Sequence, residues 1–254
     1  MLNRADLLER CVAAIDYPAE IVVVNNNSID PAFREALEAL AAKQGFEVLH
    51  QRRNLGVAAS WNLLIRTAMK RGYEWFFIGS NDTFLYPGSL KAAVRYPKEH
   101  DVAVWHLHAQ NFFLMNRRTI EEVGWFDENF YPAYKEDQDY AYRCQLAGKR
   151  RVDVPGAGAE HLCSATIASN PHYSEQNCQT HFNWNFNHYV MKWGGDAGRE
   201  RFRHPYDNPA HDFRWWPDPG DSIPLRDWDN IYRRTPRDLY DRAVSTPSDI
   251  SAHL

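Results

Sequence analysis

Three carboxylates stand within four positions in the stretch YPAYKEDQDYAYR, which spans residues 131–143. They are Glu136, Asp137 and Asp139, and Arg143 closes the stretch. A carboxylate held against a hydroxyl group can remove its proton during a reaction, so this stretch could supply a general base. On charge pattern alone it is a solvated helix face, with Asp139 and Arg143 paired one helical turn apart. What the rest of the chain binds decides between these interpretations.

Three more groups of polar residues each follow a short apolar run that is typical of a buried parallel strand. They are residues 25–28, 52–54 and 80–82. Ligands of α/β proteins bind at the carboxyl ends of such strands, so these are candidate binding loops. Asp82 is the carboxylate of the third loop, and an oxygen ligand of this kind suits Mg²⁺ or Mn²⁺.

Alternating helix and strand patterns position these loops in the first half of the chain. Apolar residues at helical spacing predict helices, and short runs rich in β-branched residues predict strands. This alternation predicts an α/β fold with a mainly parallel sheet that helices cover on both faces. The predicted helices span residues 3–15, 31–44, 57–71 and 89–96, and the predicted strands span residues 20–25, 46–50 and 74–79.

The second half of the chain has a less regular pattern. Two strands that look antiparallel precede a short helix, an aromatic loop and the helix that carries the acids. A longer helix then stands out, and the sequence after it is rich in Pro, Asp and Trp with weak periodicity. The strands are predicted over residues 102–108, 111–116 and 150–154, and the helices over residues 117–124, 136–148 and 173–195.

Composition excludes several classes of protein. The chain has 254 residues, 44% of them hydrophobic and 24% charged, which is ordinary for a globular protein with a real core. We find no apolar run long enough to span a membrane and no apolar signal-peptide core near Met1. The four cysteines are widely spaced, so we expect a cytoplasmic protein with reduced thiols. The net charge of −4 argues against broad electrostatic binding to nucleic acid.

The motifs of several common enzyme classes are missing. The sequence holds no G-x-x-x-x-G-K-[ST], no G-x-S-x-G and no H-E-x-x-H. In GAGAEH, His161 stands where the third glycine of a dinucleotide fingerprint belongs. His106 and His108 have a spacing that can hold a metal, but a lone pair of this kind is more often part of a core or a surface.

Four stretches together resemble the large inverting glycosyltransferase family 2, which has the GT-A fold and includes bacterial polysaccharide and rhamnosyl transferases. EIVVVNNNSID resembles the family pattern V-V-D-N-G-S-x-D, and NLGVAASWN resembles N-x-G-x-A-x-x-x-N. SNDTFLYPGSL resembles the metal-binding loop with its P-G-x-L turn. IEEVGWFDENFYPAYKEDQDYAYR resembles G-x-F-D-E-x-F followed by E-D-x-D-x-x-x-R. They occur in the family's order across residues 3–165, so a GT-A fold and glycosyl transfer are expected.

This resemblance implies roles for individual residues. An inverting transferase needs a base for the acceptor hydroxyl, and Asp137 matches that position with Glu136 beside it. The implied donor is a nucleotide sugar, with a UDP-sugar expected first, and the implied cofactor is Mn²⁺ or Mg²⁺. The implied donor-binding residues are Asn25, Asn27, Ser28, Arg53, Asn54, Gly56, Ser80 and Asn81; the metal ligands are Asp82 and His161; the acceptor-binding residues are Trp125, Asp127 and Tyr134.

The chain departs from the family pattern in three places. Asn25 replaces the usual Asp that contacts the uracil imide, although an amide oxygen can still accept that hydrogen bond. Ser80 replaces the first acid of the family's D-x-D. Family members also begin with a β-strand, central in the sheet, ahead of the segment matched by residues 2–11. For Asp127 a role as a loop anchor stays open beside acceptor contact, and Asp139 is expected to be structural.

Three functions stay open on the sequence. The first is transfer to a saccharide or lipid-linked acceptor, with a saccharide favoured. The second is transfer to a hydroxymethylated pyrimidine base in DNA, where Arg117–Arg118, Arg150–Arg151 and the aromatic residues 181–195 could line a groove. The third is a non-catalytic relative that binds nucleotide sugars. We expect residues 1–165 to bind the donor and catalyse, and residues 166–254 to form a helical and irregular extension over the acceptor side.

Overall fold

The computed structural model describes residues 4–26, 28, 31–162 and 182–216 of the chain. Within these ranges helices and strands alternate as predicted, and the α/β class is confirmed. The helices are α1 (Ala5–Ala13), α2 (Pro31–Gln44), α3 (Gly56–Lys70), α4 (Ser89–Arg95), α5 (Arg117–Val123), α6 (Glu136–Leu146) and α7 (Phe182–Trp193), with a 3-10 helix at Pro205–Asp207. The strands are β1 (Val22–Asn25), β2 (Glu47–His50), β3 (Trp75–Gly79), β4 (Thr83–Leu85), β5 (Val102–His108), β6 (Phe112–Asn116), β7 (Arg150–Asp153) and β8 (Ala159–His161).

The strands of the described residues pair in three groups. β1 and β2 are parallel, and β3, β6, β5 and β7 form a four-stranded sheet in that order. In the larger sheet β6 runs antiparallel to both β3 and β5, whereas β7 is parallel to β5. The pairing is therefore mixed, which corrects the prediction of a mainly parallel sheet. The cause is β6, which follows β5 so closely that it must run back beside it.

The sheet is interrupted between β1 and β3. In the part of the chain that the structure describes, β1 is paired with β2 and β3 with β6, and the two are not paired with each other. Apolar side chains of α1 and α3 line the cavity at this gap, among them Leu8 and Trp61.

The largest core cluster lies between α3, the four-stranded sheet and the loop before α6. Trp61 meets Phe113 and Phe126 edge-on, with ring centroids 5.4 and 4.9 Å apart. Its neighbour Asn62 is fully buried, donates to the carbonyl oxygen of Phe126 at 2.8 Å and accepts from the amide of Phe126 at 3.0 Å. Because a buried amide is stable only when its polar atoms are paired, Asn62 fixes this loop against α3.

Two strands escaped the sequence analysis. β4 lies inside residues 80–88, which the turn residues predicted to be a loop, and β8 was not predicted. They are three residues long each and pair antiparallel, with Thr83 opposite His161. This pairing joins two segments far apart in sequence and carries His161 towards Asp82.

Candidate active site

The acid pair lies at the beginning of α6, which starts at Glu136. Asp137 is partly exposed, and its Oδ1 accepts a hydrogen bond from the amide of Gln138 at 2.8 Å. Burial raises the pKa of Asp137 above its ordinary value. Hydrogen bonds from the backbone and the positive charge of Lys135 lower this pKa, but they do not outweigh burial. A carboxylate with a raised pKa is a stronger base than a free aspartate.

Glu136 sits deeper than its neighbour. It is 6% exposed, and its Oε2 has no hydrogen-bond partner among the described residues. Burial first and the charge of Asp137 second raise the pKa of Glu136 well above its ordinary value. Two adjacent acids in such an environment do not both ionise readily, and burial disfavours the charge more strongly at Glu136 than at Asp137.

The segment that leads into α6 has an unusual backbone. Tyr134 and Lys135 have φ angles of 79° and 76°, which are left-handed values that side chains with a Cβ rarely adopt. On one side the segment touches the beginning of α3, where the amide of Val57 donates to the carbonyl oxygen of Pro132 at 2.7 Å. Gly56 has no room for a side chain there, because an added Cβ would lie 2.8 Å from the same oxygen. Gly56 therefore allows the close packing of α3 against this segment.

The predicted metal ligands are brought together. Nε2 of His161 lies 3.4 Å from Oδ1 of Asp82, and both side chains are mostly buried. Their approach follows from the β4–β8 pairing and from the amide of Leu162, which donates to the carbonyl oxygen of Asp82 at 3.1 Å. Within the described ranges no group of three His, Cys, Asp or Glu residues forms a complete metal site.

The loop after β1 is held by its own side chains. Oδ1 of Asn25 accepts from the amide of Ser28 at 3.0 Å, and its Nδ2 lies 3.0 Å from Nδ1 of His50. Asn25 and Ser28 are both buried, and their hydrogen bond shapes the loop. The neighbouring Asn26, which the sequence analysis did not single out, donates to Oγ of Ser60 at 2.8 Å and accepts from the amide of Leu55 at 3.2 Å. Asn26 thereby ties this loop to α3.

One cavity of about 790 Å³ connects most of the predicted site. Its walls come from the loops after β1 and β3, the beginnings of α3 and α6, and β8. Asn25, Ser28, Arg53, Trp125 and Asp127 are not part of its walls, and Asn27 lies outside the described residues. The predicted residues that line it are Asn54, Gly56, Ser80, Asn81, Asp82, Tyr134, Glu136, Asp137 and His161.

The predicted acceptor residues divide in the structure. Tyr134 lines the cavity, and its ring lies 5.6 Å from that of Phe182. Trp125 packs against the core, with the guanidinium of Arg66 4.9 Å above its ring. Asp127 is fully buried, so of the two roles left open for it the structure favours the loop anchor.

The anchor of Asp127 is a buried cluster of charged and polar side chains. Lys192 of α7 lies 2.9 Å from Asp127 and 2.7 Å from Asp139, and Arg143 lies 2.8 Å from Asp139. Burial disfavours the charge of Asp127, but Lys192 and His188 outweigh it and hold its pKa well below the ordinary value. The structural role expected for Asp139 agrees with these contacts.

Sequence reasoning missed the contribution of α7. Residues 182–193 were predicted to be part of a helix, but nothing singled out Asn185, His188 or Lys192. A lysine or histidine within an apolar helix pattern was the available signal, and it does not reveal a partner more than fifty residues away. The predicted part of this helix before residue 182 lies outside the described residues.

None of the helices within the described ranges is both long enough and apolar enough to cross a membrane. The cytoplasmic location expected from the sequence stays a prediction.

Comparisons with known proteins identify the family of the chain. Residues 1–148, more than half of the chain, match the model of glycosyl transferase family 2. A galactofuranosyl glycosyltransferase of Leishmania donovani is 49% identical over 39 residues, which is 15% of this chain and 9% of that protein. The crystal structure of GalNAc-T7 with UDP, GalNAc and Mn²⁺ has a TM-score of 0.57 at 13% identity and covers 69% of this chain and 43% of its own. The chain thus spans less than half of each of these two proteins.

The structural similarity to GalNAc-T7 shows a shared fold, which is the expected GT-A fold. The matched residues 1–148 include the strand-end loops and the acid pair in the order that the sequence motifs predicted. The chain belongs to glycosyl transferase family 2.

Proposed function

We propose that the protein is an inverting glycosyltransferase that moves a sugar from a nucleotide sugar to an acceptor hydroxyl, with Asp137 as the general base. The observation that carries this proposal is the shared cavity, because Asp137, Asp82 and His161 all line it. In a displacement at one carbon, the base and the group that binds the leaving phosphate must both contact the same bound substrate. A cavity of about 790 Å³ has the size of a small-molecule site.

In the proposed reaction a single displacement forms one bond and breaks another. The acceptor oxygen attacks the anomeric carbon from the face opposite the diphosphate, and Asp137 takes the proton of the attacking hydroxyl. The bond between the anomeric carbon and the diphosphate oxygen breaks, and its electron pair leaves with the nucleoside diphosphate. The configuration at the anomeric carbon is inverted.

The two acids have different tasks in this reaction. Glu136 is the more buried and its pKa is raised further, so it retains its proton while Asp137 ionises. Pairs of acids whose environments push their pKa values apart are typical of acid–base sites. Glu136 therefore keeps a second negative charge away from the base without itself receiving the substrate proton.

The residues at the second part of the cavity fit a divalent cation. A carboxylate oxygen of Asp82 and an imidazole nitrogen of His161 are donors that Mn²⁺ accepts. Their separation of 3.4 Å is compatible with two ligands on one ion, with bonds of about 2 Å. When bound, the cation supplies Lewis-acid stabilisation of the charge on the leaving diphosphate. The GalNAc-T7 complex contains UDP and Mn²⁺, which supports a UDP-sugar and Mn²⁺ as the first choices to test.

We favour a saccharide as the acceptor over a DNA base. Among the arginines expected to line a DNA groove, Arg117 is paired with Glu74, and Arg150 with Glu99 and Asp101. Of the five aromatic residues in α7, Tyr189 and Trp193 are fully buried, so these two cannot stack a base.

The experiment that tests the proposal is turnover of a nucleotide-sugar panel with Mn²⁺ or Mg²⁺, with and without simple saccharide acceptors. We compare the wild type with Asp137→Asn and with Asp153→Asn, which removes a carboxylate exposed on β7 as a matched control. The expected result is metal-dependent turnover that Asp137→Asn lowers by roughly 10²-fold or more, with nucleotide binding retained. The anomeric configuration of the product, read by NMR, tests inversion.

Three outcomes would contradict the proposal or a part of it. A folded wild type that binds no nucleotide sugar sinks the transferase assignment. A wild type that binds nucleotide sugars but turns over no donor with any acceptor, and whose nucleotide-sugar binding is the same in Asp137→Asn, favours a non-catalytic relative. Retained configuration in the product overturns the single displacement alone.

A further inference from the structure

Three residues on one face of α7 contact residues 133–139, the segment that contains the acid pair. Asn185 reaches residues 133 and 134, Tyr189 lies beside Lys135, and Lys192 reaches Asp139. Positions four and three residues apart lie on the same side of a helix, so α7 is laid along the loop and the first turn of α6.

Asn185 makes two hydrogen bonds to the backbone that leads into the acid pair. Its Nδ2 donates to the carbonyl oxygen of Ala133 at 2.7 Å and to that of Tyr134 at 3.1 Å. The side chain is fully buried. These two carbonyls belong to the peptide units on either side of Tyr134, and the second one also precedes Lys135. One amide group therefore holds both peptide planes of the segment that turns into α6.

This segment needs such a contact. Tyr134 and Lys135 are two successive residues in the left-handed region, and neither is a glycine. A backbone of this kind persists only where the surrounding structure fixes it. The side chain of Lys135 is also held in place, because its Nζ is 2.7 Å from Asp196 and 2.8 Å from Oε1 of Gln138. The carbonyl oxygen of Lys135 then accepts from the amide of Asp139 at 2.9 Å, which begins the hydrogen bonding of α6.

We infer that Asn185 is a positioning residue for Asp137: by binding the carbonyls of Ala133 and Tyr134, it maintains the left-handed turn that directs the acid pair into the cavity. This inference rests on the proposed function, and it gives the part of the chain beyond residue 165 a task in catalysis. Asn185 touches neither substrate nor Asp137, so it acts on the position of the base and not on the chemistry itself.

The test compares Asn185→Ala and Asn185→Leu with Asn183→Ala. Leucine keeps most of the volume of the buried asparagine but donates no hydrogen bond, whereas Asn183 is an exposed asparagine on the same helix. We expect both Asn185 variants to lower kcat about 10- to 100-fold, because a small displacement of a base has effects of that size. The KM for the donor stays within about twofold, because the donor loops keep their contacts. Asn183→Ala leaves both constants unchanged.

A second measurement separates this inference from the proposed function. Hydrogen exchange of the amides at residues 136–139 does not depend on turnover, and it should become faster in both Asn185 variants and not in Asn183→Ala. A wild type without transferase activity, with the exchange result as expected, refutes the proposed function and leaves the contact intact. An active wild type whose kcat is unchanged in Asn185→Leu overturns the inference, as does unchanged exchange in both variants.

Discussion

Nζ of Lys192 lies 2.7 Å from Oδ1 of Asp139, and both side chains are completely buried. The same Nζ is 2.9 Å from Oδ2 of Asp127, so one ammonium group joins α7 to α6 and to the loop before it. Arg143 completes the cluster through its 2.8 Å contact with Asp139. Charges removed from water are tolerated only with close partners, so each member depends on the others.

Lys192→Met should therefore be strongly destabilising. Methionine fills much the same space, but it leaves Asp127 and Asp139 short of a buried partner, which costs roughly 3–5 kcal/mol of unfolding free energy. Urea unfolding monitored by tryptophan fluorescence measures this loss. Lys43→Met is the matched control, because Lys43 forms an exposed pair with Glu9 that is worth at most about 1 kcal/mol. Equal losses in the two variants would contradict the buried cluster.

Gly56→Ala should damage both stability and activity. Gly56 has φ +75°, and an added Cβ would lie 2.8 Å from the carbonyl oxygen of Pro132. The strained backbone and the clash together should cost roughly 3 kcal/mol and displace the segment that leads to Asp137. Gly45→Ala separates the two effects, because Gly45 has φ +74° with nothing within 4 Å of the added atom. That control should lose only about 1 kcal/mol and keep its kcat.

Thermal unfolding and initial rates of both glycine variants provide the measurement. If Gly45→Ala and Gly56→Ala lose the same stability, the backbone angle alone explains the effect and close packing at Pro132 is refuted.

Local sequence patterns were sufficient for most of the fold. Local patterns identified α1 to α6 and the strands β1, β2, β3, β5, β6 and β7, because most of these elements bury apolar residues at the spacing of their type. β4 and β8 escaped because three-residue strands have too few residues to show a period, and turn residues surround them. The antiparallel direction of β6 relative to β5 was predicted, whereas its antiparallel pairing with β3 was not.

The site residues were predictable where a short sequence motif contains them. Glu136, Asp137 and Asp82 were identified from motifs, and the structure brings them to one cavity. Asn185 and Lys192 were not, because their partners are more than fifty residues away and their own helix pattern resembles many solvated faces. Asp127 was ambiguous for the same reason, since its buried partner comes from α7.

Glu136→Gln should make the protein more stable at neutral pH. The folded state raises the pKa of Glu136, so between the unfolded value of about 4.3 and the folded value the native protein holds a proton that the unfolded chain releases. Stability is therefore lost as pH rises through this window, by about 1.4 kcal/mol for each unit of raised pKa. Glutamine cannot ionise, so the variant escapes this loss.

The expected result is equal stability of Glu136→Gln and wild type near pH 4 and a growing advantage of the variant up to pH 7.5, measured by urea unfolding. Glu35→Gln, at an exposed position on α2, should show no such dependence. A variant that is less stable than the wild type at pH 7.5 would mean that the ionised carboxylate is stabilised in the folded protein.

Removal of either proposed metal ligand should weaken Mn²⁺ binding in the presence of UDP. Oδ1 of Asp82 and Nε2 of His161 are 3.4 Å apart, so each variant removes one of the two proposed donors. We expect Asp82→Asn and His161→Ala to lower the affinity for Mn²⁺ by roughly tenfold or more, since even loss of an outer partner of a ligand has effects of this size.

His108→Ala is the control, because its ring is 5.8 Å from that of His161 and it was not predicted to be a ligand. Isothermal titration of Mn²⁺ into the protein with UDP gives the affinities, and removal of metal by a chelator should abolish turnover of the wild type. Unchanged affinity in both Asp82→Asn and His161→Ala would refute the site, whereas a loss in His108→Ala as large as that in His161→Ala would show that His108 is a third ligand.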